Sequence, residues 1–325
     1  MVARRRLIHG IVAFFMSALP TMSVEMESFR IVSEGIVRIR PLEPVFVVFE
    51  GDPLTKTERV KRSVVLRELC ARTLVNGKEY RQRMSDVNSV MWFTDDNWQL
   101  LGEDGQDDPV RIISLLYVDA EEKDFLFRNP GRYEVVFENY GEIIVEVEPA
   151  PLVDLPVQRE MQDIGIELAL WLLSLGDHRA PAIADRVERL LAQYPDTVYK
   201  DWLGLGLAAS KVRRFHYPEG NPRSFGCEKM NLAEEQLGAY AGNLRKSPLH
   251  TEAAFMHAEA VANAALRRRP CPGDTVAVKN RAITLLESLR DSPFALVRHR
   301  EFAREKLAEL TALQSGNRPD TADDK

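Results

Sequence analysis

The pattern of apolar and polar positions along the chain changes its period near residue 150. Before this point, short β-branched and aromatic runs such as Val45–Phe49 and Val110–Val118 alternate with turn signals. In Glu142–Glu148 apolar residues occupy every second position, which is typical of a half-buried strand. After this point, apolar residues recur every three to four positions, as in amphipathic helices. The sequence therefore predicts a multi-domain chain that is all-β in its first half and all-α in its second.

Two turn signals in the first half predict β-hairpins. Asn76-Gly77 separates two extended runs, and both of these residue types tolerate positive φ. Asn139-Tyr140-Gly141 separates Arg132–Glu138 from Glu142–Glu148. Frequent turns between about eight short strands are typical of a β-sandwich. We expect this domain to cover residues 27–149.

Two stretches of the first half resemble immunoglobulin-like domains. Asn129-Pro130-Gly131-Arg132-Tyr133 is similar to the segment that opens the penultimate strand of these sandwiches. The resemblance implies that the Tyr133 hydroxyl bonds a backbone carbonyl at the corner, although Val135 stands where antibody-type domains carry a cysteine. Leu42-Glu43-Pro44-Val45 is similar to the entry into an early strand of bacterial immunoglobulin-like modules, with Leu42 in place of a glycine. The resemblance implies an immunoglobulin-like β-sandwich and says almost nothing about function.

Prolines mark the change of period, and they predict a short proline-rich linker over residues 150–156. A long helix is expected over Val157–Leu175, ending at Gly176. Farther on, Pro195, Pro248 and Pro293 lie in similar surroundings, each after a stretch with the same helical spacing of apolar residues.

This spacing predicts three helix–turn–helix units, which resemble tetratricopeptide-like repeats. The segment Tyr194–Tyr199 is similar to the turn that joins two such helices in secreted bacterial chains, although the tryptophan-glycine-tyrosine signature is missing. We therefore expect an α-helical hairpin (tetratricopeptide-like) array over residues 157–313, followed by a disordered tail at residues 314–325.

The chain begins with a segment typical of a secretory signal. Arg4, Arg5 and Arg6 precede an apolar stretch that ends before Pro20. We expect residues 1–23 to be a signal peptide, with an uncleaved membrane anchor as the alternative. Cleavage would leave a periplasmic or secreted protein without an integral membrane span.

Charge argues against a general nucleic-acid binder. The 325 residues include 43 basic and 49 acidic side chains, for a net charge of −6, whereas nucleic-acid binders usually present a strongly basic face. Loss of residues 1–23 would remove three arginines and no acid.

Motifs for catalysis, metals and cofactors are not found in the sequence. It contains no His-Glu-x-x-His, Gly-x-Ser-x-Gly or phosphate-binding glycine loop, so no catalytic residue, metal site or cofactor is predicted. Gly204 and Gly206 form a Gly-x-Gly inside a predicted helix, where we interpret them as sites of close helix packing. Cys227 and Cys271 lie in turn-like surroundings and are candidates for a disulfide, with two free thiols as the alternative.

A basic and aromatic patch is the candidate binding site. If Cys227 bonds Cys271, the loop after residue 213 comes near three consecutive arginines, and such a patch suits an anionic ligand or an acidic peptide. The alternative is that these arginines are solvated helix ends. The candidate residues are Arg213, Arg214, Phe215, Tyr217, Arg223, Arg267, Arg268 and Arg269.

The favoured function is a non-catalytic exported binding or scaffold protein, whose helical surface takes a protein or peptide partner in the cell envelope. One alternative is a cell-wall or carbohydrate-binding module that uses the β-sandwich, with Trp92 and Trp98 as candidate aromatic contacts. A further alternative is an enzyme with a site between the domains. Neither the partner nor the oligomeric state follows from the sequence.

Overall fold

The structure is a computed structural model, and it describes eleven parts of the chain. These are residues 30–32, 35–51, 73–80, 110–119, 124–137, 140–176, 180–214, 225–241, 247–267, 271 and 275–314. The predicted signal segment, Trp92, Trp98 and residues 315–325 of the predicted tail lie outside the described residues.

The strands of the described residues are short. They are β1 (Arg30–Ile31), β2 (Ile36–Ile39), β3 (Val45–Gly51), β4 (Thr73–Val75), β5 (Lys78–Tyr80), β6 (Val110–Leu116), β7 (Val118–Asp119), β8 (Asp124–Phe125), β9 (Gly131–Phe137) and β10 (Gly141–Val147).

These strands form three small sheets. Their orders are β1-β3-β6, β2-β10-β9-β4-β5 and β7-β8. The second sheet is mixed, because β2 pairs in parallel with β10 while β9 pairs with β10 in the antiparallel sense. Side chains of the first two sheets share an apolar cluster around Val47, Phe49, Val135 and Val145.

Local predictions in this part of the chain are confirmed. Asn76 and Gly77 have φ of 51° and 75° and form the turn between β4 and β5. In β10 the alternating residues Ile143, Val145 and Val147 are buried, as their period of two predicts. The hydroxyl of Tyr133 donates a hydrogen bond of 2.9 Å to the backbone carbonyl of Asn129, the contact that the resemblance implied.

A short 3-10 turn (Leu152–Asp154) leads from the strands into the helices. Within the described residues, the helices are α1 (Leu155–Ile164), α2 (Ile166–Leu173), α3 (Pro181–Gln193), α4 (Lys200–Arg213), α5 (Phe225–Ala241), α6 (Pro248–Ala265), α7 (Thr275–Arg290) and α8 (Val297–Gln314).

The prediction of one continuous helix over Val157–Leu175 is wrong. Gly165 separates α1 from α2 with a φ of 67°, far from the value near −63° that an α-helix requires. Glycine adopts this conformation without the steric cost of a Cβ atom, so the helix breaks there. Met161 accepts the hydrogen bond that closes α1, from the backbone N–H of Gly165.

The last six helices form three consecutive pairs. Pro195 lies in the turn between α3 and α4, Pro248 begins α6, and Pro293 lies between α7 and α8. Positions that the sequence aligns in the first helices of the pairs, such as Val187 and Leu285, are buried.

The predicted fold class, an immunoglobulin-like β-sandwich followed by a separate helical array, is nevertheless wrong. The described residues form a mixed architecture of helices and small sheets, in which no closed sandwich is present. Strand β3 shows why, because both of its faces are covered. Val45, Val47 and Phe49 pack between the sheets, whereas Phe46 and Val48 pack against the helices.

One apolar cluster therefore joins strands and helices. Leu42, Val48 and Leu115 pack together with helix residues that include Trp171 and Leu203. The continuous apolar run of β3 already indicated a strand that is covered on both sides.

Polar contacts reinforce this junction. The indole N–H of Trp202 donates a 3.1 Å hydrogen bond to Glu43, and the Trp202 ring stacks on Phe46 at 6.2 Å between centroids. Leu42 precedes Glu43 with a φ of 67°, a left-handed conformation that favours glycine. Its side chain is 1% exposed, so apolar burial offsets the backbone strain.

None of the described helices is both long enough and apolar enough to cross a bilayer.

Candidate functional site

The predicted basic patch is described only in part. Phe215, Tyr217, Arg223, Arg268 and Arg269 lie outside the described residues. The patch as a whole therefore stays a prediction.

The three arginines that the structure does describe contact helix ends. Arg213 donates a hydrogen bond to the backbone carbonyl of Ser174, at the end of α2. Arg214 is the C-terminal cap of α4, and its Nε and Nη2 atoms are buried. The guanidinium of Arg267 lies against Gly226, where a Cβ atom would overlap it.

Cys227 and Cys271 are joined by a disulfide in the structure. The S–S distance is 2.12 Å, and the Cα atoms are 5.5 Å apart. Cys227 lies in the first turn of α5 and Cys271 lies between α6 and α7, so the bond ties the start of one helix to the loop after the next. It places Arg267 beside the first turn of α5, as the sequence argument required.

A groove between three helices is a candidate site in the described part of the chain. It lies beside α4, between α3 and α5, and has a volume of about 260 Å³. Its lining combines apolar, cationic and hydrogen-bonding side chains. The lining residues are Leu191, Pro195, Lys200, Gly204, Leu207, Ala208, Lys211, Glu235, Gln236 and Tyr240.

Helix α4 supplies one continuous stripe of this lining. Its five lining residues follow the spacing i, i+4, i+7, i+8 and i+11, which places them on one helix face. The middle of the stripe is small or apolar, whereas Lys200 and Lys211 occupy its ends. With a rise of 1.5 Å per residue, the two lysine Cα atoms are about 16 Å apart along the helix.

Close packing of Tyr240 against α4 closes the groove at its base. A Cβ atom on Gly204 would overlap the Tyr240 hydroxyl, so the glycine allows the ring to lie against the helix. Burial and the neighbouring Asp201 carboxylate raise the pKa of Tyr240, which keeps its hydroxyl protonated at neutral pH. The groove therefore has a neutral hydroxyl at its base.

Gly206 has a related role on the other side of α4. A Cβ atom there would lie 2.8 Å from the ring of Trp171. The interpretation of this Gly-x-Gly as a site of close helix packing is confirmed, since each glycine admits an aromatic ring.

A buried histidine lies behind Tyr240. The rings of Tyr240 and His250 are 6.4 Å apart between centroids. Nδ1 of His250 is 2.8 Å from the hydroxyl of Ser247, and its Nε2 is 3.4 Å from Asp201. Ser247 is the N-terminal cap of α6, and it accepts a hydrogen bond from the backbone N–H of His250. Ser247 and His250 therefore form a buried helix cap, with Ser247 only 1% exposed, and the half-buried Asp201 of α4 lies beside it.

Two further buried histidines pair with carboxylates between the helices. His257 on α6 lies 3.2 Å from Glu234 on α5, and His299 on α8 lies 3.0 Å from Glu252 on α6. Burial would raise the pKa of Glu252, but His299 and Arg298 outweigh it and hold that pKa below its usual range. The His299–Glu252 pair is buried inside the helix packing, whereas Glu234 is partly exposed, and both pairs tie helices together.

The charges around the groove differ between its two ends. Lys211 pairs with Glu188 on α3 at 2.8 Å, and Glu235 lies toward the same end on α5. At the other end the side chain of Lys200 is exposed, and it makes no ion pair within the described part of the chain. The groove is thus cationic at the Lys200 end and charge-balanced or acidic at the Lys211 end.

The sequence analysis did not find this groove. The signal present in the sequence is the stripe of small residues between Lys200 and Lys211. This stripe includes Gly204, one of the two glycines of the Gly-x-Gly motif. The sequence does not show how far α3 and α5 lie from that stripe. This distance decides whether the stripe is covered or open.

Comparison with known proteins gives no relative, since no protein-family model, curated protein or solved structure matches the chain. Among the described residues, no group of three or more histidine, cysteine and acidic side chains is arranged to hold a metal ion. The argument for function therefore depends on the groove itself.

Proposed function

We propose that the protein is a non-catalytic binding protein that holds a short, extended segment of a partner protein in the groove between α3, α4 and α5. The observation that carries this proposal is the open cleft of about 260 Å³ that both apolar and polar side chains line. Ligand pockets for whole small molecules are usually larger, about 300–1,000 Å³. A cleft of this size suits a few side chains of a longer ligand.

The chemistry of the lining fits a peptide. Leu191, Leu207 and Ala208 offer apolar area for a side chain of the ligand. Gln236 and Tyr240 offer hydrogen-bond donors and acceptors for its main chain. An apolar centre with a polar rim is the usual composition of a protein interaction site.

Export, which the sequence predicts, would place the partner in the cell envelope. The basic patch is predicted around the Cys227–Cys271 disulfide. Cys227 lies in the first turn of α5, whereas Tyr240 lies in the last turn of the same helix. The patch is a separate candidate surface, and the groove proposal does not depend on it.

The proposal is tested by selecting ligands and then filling the groove. A phage-displayed library of random peptides is panned on the full chain, and enriched sequences are synthesised and measured by fluorescence anisotropy. We expect dissociation constants on the order of 1–100 µM. In Ala208→Phe the new ring occupies the cleft, so binding should weaken at least about tenfold, which corresponds to about 1.4 kcal/mol.

A matched control separates groove filling from added apolar surface. Val276 on α7 is 66% exposed and lies on a helix that does not line the groove, so Val276→Phe should leave affinity unchanged. Leu191→Trp fills the cleft from the α3 side and gives a second variant if Ala208→Phe lowers the thermal midpoint. The proposal is wrong if the selected peptides bind all of these variants equally, or if no peptide is enriched.

A further inference from the structure

We infer that the groove selects peptides in which an acidic residue lies two to four positions from an apolar side chain, with the acid at the Lys200 end. This inference deepens the proposed function and rests on it. It names the class of ligand and the direction in which the ligand lies.

The first step is the asymmetry of charge along α4. Lys211 already has the Glu188 carboxylate as a partner at 2.8 Å, and Glu235 adds a further negative charge at that end. The amide of Gln236 donates to Glu235 at 3.1 Å but does not neutralise it. Lys200 retains an exposed ammonium with three donors and no carboxylate partner among the described residues.

The second step is the position of the apolar floor. Leu207 and Ala208 lie seven and eight residues after Lys200, and Gly204 lies four residues after it. Along the helix, these positions are about 6–12 Å from Lys200. An extended peptide covers about 3.3 Å per residue, so about two to four residues separate a carboxylate bound at Lys200 from a side chain bound on the floor.

The charges of the groove also disfavour a peptide that lies in the opposite direction. A ligand that lies the other way would bring its acid to Glu188 and Glu235, where like charges repel. A basic residue at the Lys200 end would face the ammonium instead. Asp201, the next residue of α4, is half-buried, and its carboxylate lies 3.4 Å from Nε2 of His250 on α6.

The test uses an array of synthetic heptapeptides with a central leucine or phenylalanine. One set carries aspartate or glutamate three positions before or after the centre, and a matched set carries lysine or arginine at the same positions. Fluorescently labelled full-length protein is applied at two salt concentrations. We expect about fivefold stronger binding of the acidic set, which is the upper part of the range for an exposed ion pair, and a smaller difference at high salt.

Charge reversal at one residue makes the test decisive. Lys200→Glu should invert the preference, so that basic peptides bind more strongly than acidic ones. Lys279→Glu changes the net charge equally but lies on α7, outside the groove lining, and should preserve the preference of the unaltered protein. Thermal midpoints of both variants confirm that the fold is retained.

The failure of this inference is distinguishable from the failure of the proposed function. If charge does not affect binding while Ala208→Phe abolishes it, the groove binds peptides but the acidic class is wrong. If an acidic preference survives Lys200→Glu, the direction and the residue are wrong. If neither Ala208→Phe nor Lys200→Glu changes binding, the groove itself is not the site.

Discussion

At the scale of single residues, the glycines of α4 decide how closely other helices approach it. Gly206 admits the ring of Trp171 and Gly204 admits the hydroxyl of Tyr240. Neither contact leaves space for a methyl group. Helix α4 can therefore take this position only because both residues are glycines, which have no side chain. The groove beside α4 depends on the same close approach.

Replacement of Gly206 by alanine should destabilise the protein. The added Cβ would lie 2.8 Å from Trp171, a buried side chain in a tightly packed cluster. Overpacking of this kind costs about 1–3 kcal/mol, more than the gain of about 1 kcal/mol in helix propensity. Urea unfolding followed by far-ultraviolet circular dichroism measures the difference.

Gly238 on α5 is the matched control for this substitution. A Cβ atom there would meet only the Glu234 carboxylate, at an ordinary 3.7 Å. Gly238→Ala should therefore stabilise the protein by up to about 1 kcal/mol through helix propensity alone. Equal effects of the two substitutions would contradict the packing role of Gly206.

Residue-level signals in the sequence were the most dependable. Asn76-Gly77 specified its turn because few residue types accept positive φ, and Tyr133 specified a hydrogen bond to a carbonyl only four residues away. Such features depend on the neighbouring chain alone. The break at Gly165 was missed because glycine inside an apolar stretch is compatible with either a helix or its interruption.

At the scale of elements, buried polar pairs connect neighbouring helices. Glu234 on α5 contacts both His257 on α6, at 3.2 Å, and Arg281 on α7, at 3.1 Å. Burial lowers the pKa of His257, and the opposing attraction of Glu234 does not restore it to its usual value. The neutral form of this imidazole is therefore favoured in the folded state.

This arrangement predicts a loss of stability in mild acid. Below about pH 6.5, the ordinary pKa of histidine, the unfolded chain binds a proton at His257 that the folded chain does not bind. The free energy of unfolding should therefore fall as the pH decreases from 6.5 toward the lowered pKa of the folded state. His257→Gln cannot titrate, so its stability should fall less steeply than that of the unaltered protein between pH 7 and pH 5.

The comparison of the two slopes isolates His257 from the other titrating groups, since these are common to both proteins. Chemical denaturation at several pH values gives the slopes directly. Parallel slopes would show that His257 does not take part in the pH dependence. A steeper slope for His257→Gln would contradict the direction of the pKa shift.

Elements were predictable from the sequence where their period was regular. The helix pairs around Pro195 and Pro293 and the β9–β10 hairpin follow from local spacing. The groove was not predictable, because its open space depends on how far α3 and α5 stand from the stripe between Lys200 and Lys211. That distance is set by contacts of residues that are far apart in the sequence.

At the scale of the whole molecule, strands and helices share one apolar core. Phe46 and Val48 on β3 pack against the helical part, and Trp202 on α4 reaches back to Glu43. The change of period near residue 150 marks a change of secondary structure. It does not mark the boundary between two separate apolar cores that we predicted from it. Period alone does not tell which element covers an apolar face.

The groove lies on the helical side of this shared core. Its floor is formed by α4, the helix whose Trp202 contacts the strand half of the chain. Helix α4 is held by Phe46 and Glu43 on one side and by Tyr240 on another. A rigid floor reduces the ordering cost of binding a flexible peptide. Such a floor would favour the binding role that we propose for this small groove.

The central claim is that a peptide ligand occupies the groove between α3, α4 and α5, and photo-crosslinking tests it most directly. A library-selected peptide that carries a diazirine on its apolar side chain is irradiated on the full-length protein, and mass spectrometry locates the modified residues. The account predicts modification of α4 between Gly204 and Lys211 and of α5 between Glu235 and Tyr240, with competition by unlabelled peptide. Competed crosslinks that fall instead on the strands, or on α7 and α8, would contradict it.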